Sequence, residues 1–340
     1  MARVLVTGAT GFIGSNLTKR LVALGHDVTC LARNRSKVAG LESLGVRPTL
    51  GDLRDEAAVR RAVGQAEIVY HVAGLTSAFR SAELMEVNAT AFRYLTATCA
   101  ACPNPPTLIS VSSLAAAGPS PANRPRVESD PAAPVSHYGR AKRAGELIAH
   151  EYAAQLPITI VRPPMVFGEG DLHMRSMFRT IWRLGIHVAL GVTRSRYSLI
   201  HVADLVEALI LCAERGARLV PVNGSPANSA RGYYFVAGDE QPTFAELGQL
   251  IGSSLGQTRV AVWGSSKGAL LWPAAAVAEM VGRLRGQPYI FNFDKAREAK
   301  AGSWTCSAET IRAELGFSPR ASLAERLRQT ADWYRKEQML

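Results

Sequence analysis

A tyrosine and a lysine four residues apart have the side chains needed to give a proton to a developing alkoxide. Tyr138 and Lys142 share one face if this stretch is helical. An ammonium group beside a phenol favours phenolate and lowers the pKa of the tyrosine from its ordinary value of ~10. Such a pair suits carbonyl reduction, which needs a hydride at carbon and a proton at oxygen. The same spacing is common on solvated helices, so its meaning depends on its surroundings.

A glycine-rich stretch near the N-terminus supplies that context. Residues 7–14 read TGATGFIG and follow an apolar run. Gly8 permits a tight turn, Gly11 lets the backbone approach a pyrophosphate, and Gly14 allows close packing of helix on strand. Free amide groups at the start of the next helix would bind the phosphates. We therefore predict a dinucleotide site here.

The elements around these residues alternate between strand and helix. Short β-branched runs predict strands at 3–7, 26–31, 67–73, 107–112 and 158–161, with a helix over 12–24 and a long loop over 118–134. This alternation predicts an α/β fold with a doubly wound parallel Rossmann sheet, whose ligands lie at the carboxyl ends of the strands.

The regularity weakens after residue 166. We predict that 1–166 form the dinucleotide-binding Rossmann domain, to which 197–215 and 232–240 return. A smaller, discontinuous C-terminal substrate-binding domain would comprise 167–196 and 241–340. Helices are expected over 171–184, after a capping box at Thr243, and over 322–336.

The apolar segment 268–281 contains Pro273 and Glu279 and is too short to span a bilayer, so we expect no integral membrane segment. We expect it to pack in the core. An amphipathic helix over an apolar pocket or on a membrane surface is the alternative. The apolar side chains that would line such a pocket are Trp263, Leu270, Leu271, Trp272 and Val277.

Composition narrows the class of protein. With 47% hydrophobic residues the chain can bury a core, and its net charge of +11 is scattered without an aromatic-basic module, so nucleic acid is not an expected partner. A basic field suits a phosphorylated cofactor or an acidic substrate. The five cysteines follow no metal spacing, which predicts no metal site and fits a reducing, cytoplasmic location.

The ordered motifs resemble the extended short-chain dehydrogenase/reductase superfamily, the NAD-dependent epimerase/dehydratase type. Besides the glycine turn, they are GDLRD at 51–55, HVAG at 71–74, VSS at 111–113, YxxxK at 138–142, RPPMVFG at 162–168 and HVAD at 201–204. The resemblance covers essentially the whole chain.

The resemblance implies a set of site residues. Ser113, Tyr138 and Lys142 would be catalytic; Ser113 is preferred over Ser112 because the family places its hydroxyl five residues before the glycine represented by Gly118. Asn88 would support the site or pack a helix. The implied cofactor contacts are Gly8, Gly11, Phe12, Ile13, Gly14, Arg33, Asp52, Leu53, Val72, Ala73, Gly74, Ser112, Tyr138, Lys142, Pro163 and Val166.

The end of the second strand indicates which dinucleotide binds. Residues 31–37 read LARNRSK, without the acid expected for a ribose 2′-hydroxyl. Arg33 would stack on the adenine and, with Arg35 or Lys37, hold a 2′-phosphate. We predict NADP(H), with NAD as the alternative if these cations are merely solvated.

Further motifs favour one branch of the superfamily. Ser113 is followed by Leu114-Ala115-Ala116 rather than the acidic pair of dehydratases, and SSLAAAG at 112–118 and ELGFSP at 314–319 resemble the 3β-hydroxysteroid dehydrogenase/dihydroflavonol reductase branch. That branch implies hydride transfer between nicotinamide and a ketone or secondary alcohol of a hydrophobic small-molecule substrate. The arginines of 175–196 would anchor a carboxylate or phosphate on it, or else Arg175, Arg179 and Arg183 form a solvated stripe.

Two other functions stay open at this point. One is an NDP-sugar epimerase with retained NAD, which the missing ribose acid disfavours. The other is a non-catalytic dinucleotide-sensing binder, which has no need of Ser113, Tyr138 and Lys142 together. A homodimer through the tyrosine-bearing helix is compatible with the resemblance, and the substrate's identity and the direction of reaction are left open.

Overall fold

The described part of the chain is built around a parallel β-sheet. The computed structural model describes residues 1–34, 38–189, 194–221, 230–264, 270–289 and 291–340. Its strands are β1 Arg3–Thr7, β2 Asp27–Ala32, β3 Arg47–Leu50, β4 Ile68–His71, β5 Thr107–Val111, β6 Ile158–Arg162, β7 Met165–Phe167, β8 Ile186–Ala189, β9 Leu199–His201, β10 Tyr233–Phe235 and β11 Ala261–Gly264.

The helices connect and cover these strands. They are α1 Phe12–Ala23, α2 Ala39–Glu42, α3 Glu56–Val63, α4 Ser81–Met85, α5 Ala91–Ala100, α6 Leu114–Ala117, α7 His137–Glu151, α8 Arg175–Leu184, α9 Val202–Arg215, α10 Phe244–Ser254, α11 Leu271–Leu284, α12 Phe293–Lys300, α13 Glu309–Leu315 and α14 Leu323–Lys336. A π-helical turn, Glu86–Thr90, joins α4 to α5.

The main sheet confirms the predicted fold class. Within the described ranges it has seven strands in the order β10-β6-β5-β4-β1-β2-β3, and every recorded pair among them is parallel. Apolar clusters on its two faces involve α1, α9 and α13 on one side and α3, α5 and α7 on the other. Burial on both faces explains why β1 reads as a continuous apolar run instead of an alternating one. The carboxyl ends of the strands meet at one edge.

A second group of elements packs beside this sheet. Helices α8, α10 and α14 bury a separate apolar cluster with Phe167 and Leu199, which lie in the paired strands β7 and β9. Strands β8 and β11 form another two-stranded pair. The predicted capping box at Thr243 and Glu246 is present at the start of α10, which confirms that prediction. Strand β10 pairs with β6 in the main sheet.

Two expectations about element bounds and packing need correction. The helix predicted over 171–184 begins only at Arg175, because the Asp171 carboxylate binds the amides of His173 and Met174 in a preceding turn. The segment 268–281 is helical from Leu271, but its expected packing in the core is wrong for its outer face. Val277 is 57% exposed and Met280 is 58% exposed.

Helices α11 and α12, hereafter the cap, pack mainly against each other. Their small buried cluster is Leu271, Ala275 and Ala296, with Phe291 and Phe293 packed against it. Residues 265–269 and 290 lie outside the described residues. No helix in the described ranges is both long enough and apolar enough to cross a membrane.

Candidate active site

The glycine turn between β1 and α1 forms a tight cradle. Gly8 has a φ of 75°, a left-handed conformation that suits glycine, and a Cβ atom there would lie 2.7 Å from the amide nitrogen of Ala73. A Cβ atom at Gly14 would lie 2.1 Å from the Gly8 carbonyl oxygen. Gly11 caps α1 without a side-chain hydrogen bond, and no acid lies in the first turn. These features fit an anion at the helix start.

The loop after β4 lies directly against this turn. Thr7 and His71 join the ends of β1 and β4 through a hydroxyl-to-Nδ1 hydrogen bond of 2.9 Å. Burial, assisted by the nearby charge of Lys142, lowers the pKa of His71 to about 3, so the imidazole is neutral. His71 stacks on Phe92 with ring centroids 4.7 Å apart. Sequence reasoning gave no role to this histidine.

Asn88 holds the next part of that loop in place. Its side-chain oxygen accepts from the Leu75 amide at 3.0 Å, and its side-chain nitrogen donates to the Leu75 carbonyl at 2.9 Å. Gly74 fits between neighbours, since a Cβ atom there would lie 2.7 Å from Asn88 Oδ1 and 3.8 Å from Lys142 Nζ. The structure therefore brings Val72, Ala73 and Gly74 between the glycine turn and Lys142.

The ends of β2 and β3 bring Arg33 and Asp52 near each other. The Gly51 amide donates to the Ala32 carbonyl at 3.0 Å, so the segment after β3 follows the end of β2. Arg54 binds the Asp52 carboxylate, and this hydrogen bond lowers the carboxyl pKa; Arg33 acts in the same direction. The predicted helpers Arg35 and Lys37 lie outside the described residues.

The two neighbouring serines of the VSS motif have different partners. Ser112 donates to the buried Glu146 carboxylate at 2.6 Å, and Arg162 binds the same carboxylate with two nitrogens. Ser113 caps α6 by accepting from the Ala115 amide at 3.1 Å, and its hydroxyl acts on the Tyr138 phenol, lowering the pKa of that group against the effect of burial. This difference supports Ser113 over Ser112 as the hydroxyl facing the tyrosine.

Lys142 is buried one helical turn after Tyr138. Its ammonium donates to the Val111 carbonyl at 2.7 Å. Burial lowers the pKa of Lys142 to about 8, although Glu146 acts in the opposite direction. Pro163 lies close to the same region, because its carbonyl accepts from the Leu114 amide at 2.9 Å; Val166 follows in β7.

The environment of the phenol corrects one sequence expectation. Lys142 was expected to lower the pKa of Tyr138, but burial raises that pKa above its ordinary value. The cation that opposes burial is Lys295 of the cap, whose Nζ lies 5.3 Å from the centre of the Tyr138 ring. Sequence reasoning missed Lys295 entirely.

The cap also anchors the start of the tyrosine-bearing helix. Asp294 accepts hydrogen bonds from the backbone amides of His137 and Tyr138, at 2.8 and 2.9 Å. Ser136 caps the same helix through the Gly139 amide. An acid at a helix N-terminus accepts hydrogen bonds from the free amides, and its negative charge interacts favourably with the helix dipole. Sequence reasoning missed Asp294 as well; Asn292, which caps α12, is the residue that could have indicated a helix start here.

Two cavities adjoin where the cap meets this helix. A cavity of about 260 Å³ is lined mainly by polar groups, among them Thr76, Ser77, His137, Asn292 and Lys295. A groove of about 410 Å³ runs along α11 and is lined by Ala276, Met280 and Leu284 beside Arg283. Glu279 and Phe293 line both. A polar space and an apolar one therefore lie next to each other and share part of their lining.

Two other groups of residues considered in the sequence, the CxxC cysteines and the arginines of α8, remain to be placed. The buried Cys99 and the half-buried Cys102 are free thiols, and the described residues contain no group of three or more His, Cys, Asp or Glu side chains suited to a metal. Arg175 donates to the Met339 carbonyl at 3.0 Å, so it is tied to the C-terminus.

Sequence comparison matches the chain to the NAD dependent epimerase/dehydratase family over residues 4–223. The ceramide reductase of Caulobacter vibrioides is 31% identical over 333 residues, covering 98% of this chain and 94% of the relative. The 2-alkyl-3-oxoalkanoate reductase of Stenotrophomonas maltophilia is 28% identical, covering 96% and 97%.

Solved structures share the fold. The UDP-glucose 4-epimerase of Thermotoga maritima superposes with a TM-score of 0.76 at 20% identity, covering 99% of both chains. The dTDP-glucose 4,6-dehydratase of Streptomyces venezuelae, solved with NAD, gives 0.75 at 21% identity, covering 99% and 98%. The chain belongs to the NAD dependent epimerase/dehydratase family and is an NAD(P)-dependent oxidoreductase.

Proposed function

We propose that the chain transfers a hydride between NADP(H) and the ketone or secondary alcohol of a hydrophobic substrate with one polar end. The observation that carries this proposal is the junction at the carboxyl edge of the sheet. There the glycine turn contacts Ala73, Gly74 lies close to Lys142, and Ser113 lowers the pKa of the Tyr138 phenol. A dinucleotide site and a proton donor are thereby joined by direct contacts.

Each residue at this junction has a distinct task. The Tyr138 hydroxyl gives its proton to the alkoxide oxygen, and Ser113 donates a hydrogen bond to the same oxygen. Lys142 binds the nicotinamide ribose, while the cradle of Gly8, Gly11 and Gly14 admits the pyrophosphate. When bound, the dinucleotide supplies or accepts the hydride. The neutral His71 keeps the turn and the neighbouring loop in register.

The preference for NADP(H) is supported by the end of β2. Arg33 is exposed there, and the position expected to bind a ribose 2′-hydroxyl carries no acid. A guanidinium group suits a 2′-phosphate by charge-assisted hydrogen bonds. We expect kcat/KM to be higher with NADPH than with NADH, and Arg33→Ala to reduce that ratio about tenfold. Arg47→Ala, on the neighbouring strand β3, is the matched control. An unchanged ratio in Arg33→Ala would refute the assignment of Arg33.

The adjoining cavities support an amphiphilic substrate. The polar cavity would hold the head group near Tyr138, and the apolar groove along α11 would hold an alkyl chain. Relatives named ceramide reductase and 2-alkyl-3-oxoalkanoate reductase support the same class. Arg283 and Arg297, at the groove and the cavity, pair with Glu279 and Asp294, which line the same spaces. The lining therefore offers polar contacts to a head group without an excess of positive charge.

The experiment is a paired assay with long-chain and short-chain 3-oxo acids and neutral ketones, using NADPH and NADH. We expect the highest kcat/KM for the long-chain ketone with NADPH. Reduction of no member of the panel despite tight dinucleotide binding would favour the sensing function instead. A dinucleotide that copurifies, resists dialysis and supports inversion of a UDP-sugar would favour the epimerase.

A further inference from the structure

The cap contributes charged groups to the catalytic tyrosine as well as a wall to the cavity. Asp294 binds the first two amides of α7, which fixes α12 against the start of the tyrosine-bearing helix. The next residue, Lys295, then extends over the Tyr138 ring with its Nζ 5.3 Å from the ring centre. Two consecutive residues thus reach Tyr138, the Asp294 carboxylate through the backbone amide and the Lys295 ammonium through the ring.

The Lys295 ammonium is itself held in position. Its Nζ donates to the Glu298 carboxylate at 2.6 Å, one helical turn along α12. The Lys295 side chain is 30% exposed and that of Glu298 is 11% exposed, so solvent only partly screens the pair. An ordinary surface pair at this spacing contributes little and faces water. This pair instead faces the phenol.

Charged and polar groups reach the Tyr138 phenol from several elements. From α12, Lys295 favours the phenolate and Glu298 opposes it, with the effect of Lys295 the larger. Ser113, at the start of α6, also favours the phenolate through its hydrogen bond. On α7 itself, the Lys142 ammonium is directed to the Val111 carbonyl. The cap therefore supplies a cation that faces the Tyr138 ring, while the Lys142 ammonium is held by a backbone carbonyl.

We propose that Lys295 is a positioning residue for Tyr138, held by Glu298, which stabilises the negative phenol oxygen left when the proton moves to the substrate alkoxide. This inference rests on the proposed function for its chemical step. In that step the O–H bond of Tyr138 breaks and a new O–H bond forms on the substrate, while the hydride reaches the carbonyl carbon. Lys142 is then free to bind the cofactor ribose, and two lysines divide the tasks that sequence analysis gave to one.

The test compares Lys295→Met, Lys295→Arg and Glu298→Gln in the full-length protein. Lys300→Met is the matched control, because Lys300 is an exposed lysine on the same helix. Ionisation of Tyr138 is followed by the ultraviolet absorbance of phenolate, as the difference between each protein and the same protein carrying Tyr138→Phe. The pH dependence of kcat/KM for alcohol oxidation is measured in parallel.

We expect Lys295→Met to move the Tyr138 midpoint upward by about one pH unit, because an opposite charge at this distance is removed. Glu298→Gln should move it downward by a smaller amount, since a neutral amide still accepts from Lys295. Lys295→Arg should restore the wild-type midpoint and Lys300→Met should not change it. A merely structural pair would lower stability without moving the midpoint.

An unmoved midpoint in Lys295→Met would overturn the inference, whatever happens to kcat. If that variant does not fold, the sign of the shift in Glu298→Gln decides, and no downward shift would overturn it. The absorbance titration needs no substrate. A shifted midpoint in a protein that reduces no carbonyl would therefore separate a failure of the proposed function from a failure of this inference.

Discussion

The glycine turn and the cap both contact the same catalytic region, but they are built in different ways. At the turn, geometry is imposed by the backbone, since an added Cβ atom at Gly14 would collide with the Gly8 carbonyl oxygen at 2.1 Å. The cap reaches the site through individual side chains, Asp294 and Lys295, and buries only a small cluster of its own. We therefore expect dinucleotide binding to depend on the turn and substrate choice to depend on the cap.

The outer surfaces of two helices extend this contrast. Helix α14 turns Arg328, Asp332 and Lys336 to solvent, whereas α11 exposes Val277 and Met280. Both are amphipathic, but only α14 has the charged outer face expected of a helix that covers a core. The apolar side of α11 borders a groove that shares Glu279 and Phe293 with the polar cavity, as expected of a substrate-facing element.

The largest expected effect lies where the two regions meet. Tyr138→Phe removes the proton donor while keeping the ring, so kcat should fall by about a thousandfold. Dinucleotide affinity should stay unchanged, because binding depends on the turn. Steady-state kinetics and fluorescence binding measure the two separately. Tyr152→Phe, at the other end of the same helix, is the control; a near-normal kcat in Tyr138→Phe would remove the tyrosine from the mechanism.

Disrupting the glycine turn should weaken dinucleotide binding and lower the stability of the protein. Gly14→Ala forces helix and turn apart, which should destabilise the protein by about 1–3 kcal/mol. It should also weaken dinucleotide binding at least about tenfold. Gly40→Ala is the control, since no atom lies within 4 Å of its added Cβ. Chemical denaturation and calorimetry provide the measurements, and wild-type affinity in Gly14→Ala would contradict the tight cradle.

The turn side of the site should also respond to pH through Lys142. Burial lowers the pKa of this lysine to about 8, so the free protein loses the ammonium charge as pH rises through that value. A charge-assisted hydrogen bond contributes about 1.5–3 kcal/mol, so affinity for NADP should fall about tenfold between neutral and alkaline pH. In Lys142→Met the affinity should be lower and flat over this range. A wild-type affinity that does not change with pH would show that the lysine charge does not contribute to binding.

Releasing the cap from α7 should have a moderate effect on stability. Asp294→Ala leaves the amides of His137 and Tyr138 without their acceptor, which should cost about 1 kcal/mol. Asp332→Ala, in an exposed pair on α14, should cost almost nothing. Thermal unfolding compares the two. Equal losses in both variants would mean that the cap does not anchor the helix.

The smallest change should be confined to substrates that reach the groove. Met280→Asp puts a charge into its apolar lining, so KM should rise about tenfold for a long-chain ketone and hardly at all for a short one. Val277→Asp is the matched control, because this residue is equally exposed one turn earlier but does not line the groove. A rise in KM that does not depend on chain length would argue against the groove as the chain-binding site.

The contrast between the glycine turn and the cap also explains which features could be predicted from the sequence. The strand series and the glycine turn were predictable, because a left-handed φ at Gly8 and a close contact at Gly14 each require glycine locally. The choice of Ser113 came from the family resemblance, and the different partners of Ser112 and Ser113 support it. Their catalytic and binding roles remain predictions.

The cap contribution was not predictable from residue patterns. Asp294 is separated by 156 positions from Tyr138, and nothing in the local sequence of α12 indicates which helix it contacts. For 268–281 we expected core packing, with an amphipathic helix as the alternative, and the sequence could not indicate which face would be covered. The expected core packing proved wrong for the outer face. The expectation that Lys142 lowers the pKa of Tyr138 was wrong for a related reason. Burial of the phenol and the position of the distant Lys295 are properties of the folded chain.

The most direct test of the central claim is to follow the hydride itself. NADPH deuterated at the transferring carbon of the nicotinamide is incubated with the protein and a long-chain ketone, and the alcohol product is analysed by mass spectrometry. We expect deuterium at the carbinol carbon in the wild-type reaction and almost no product with Tyr138→Phe. Alcohol formed without deuterium, or formed at an undiminished rate by Tyr138→Phe, would contradict this claim.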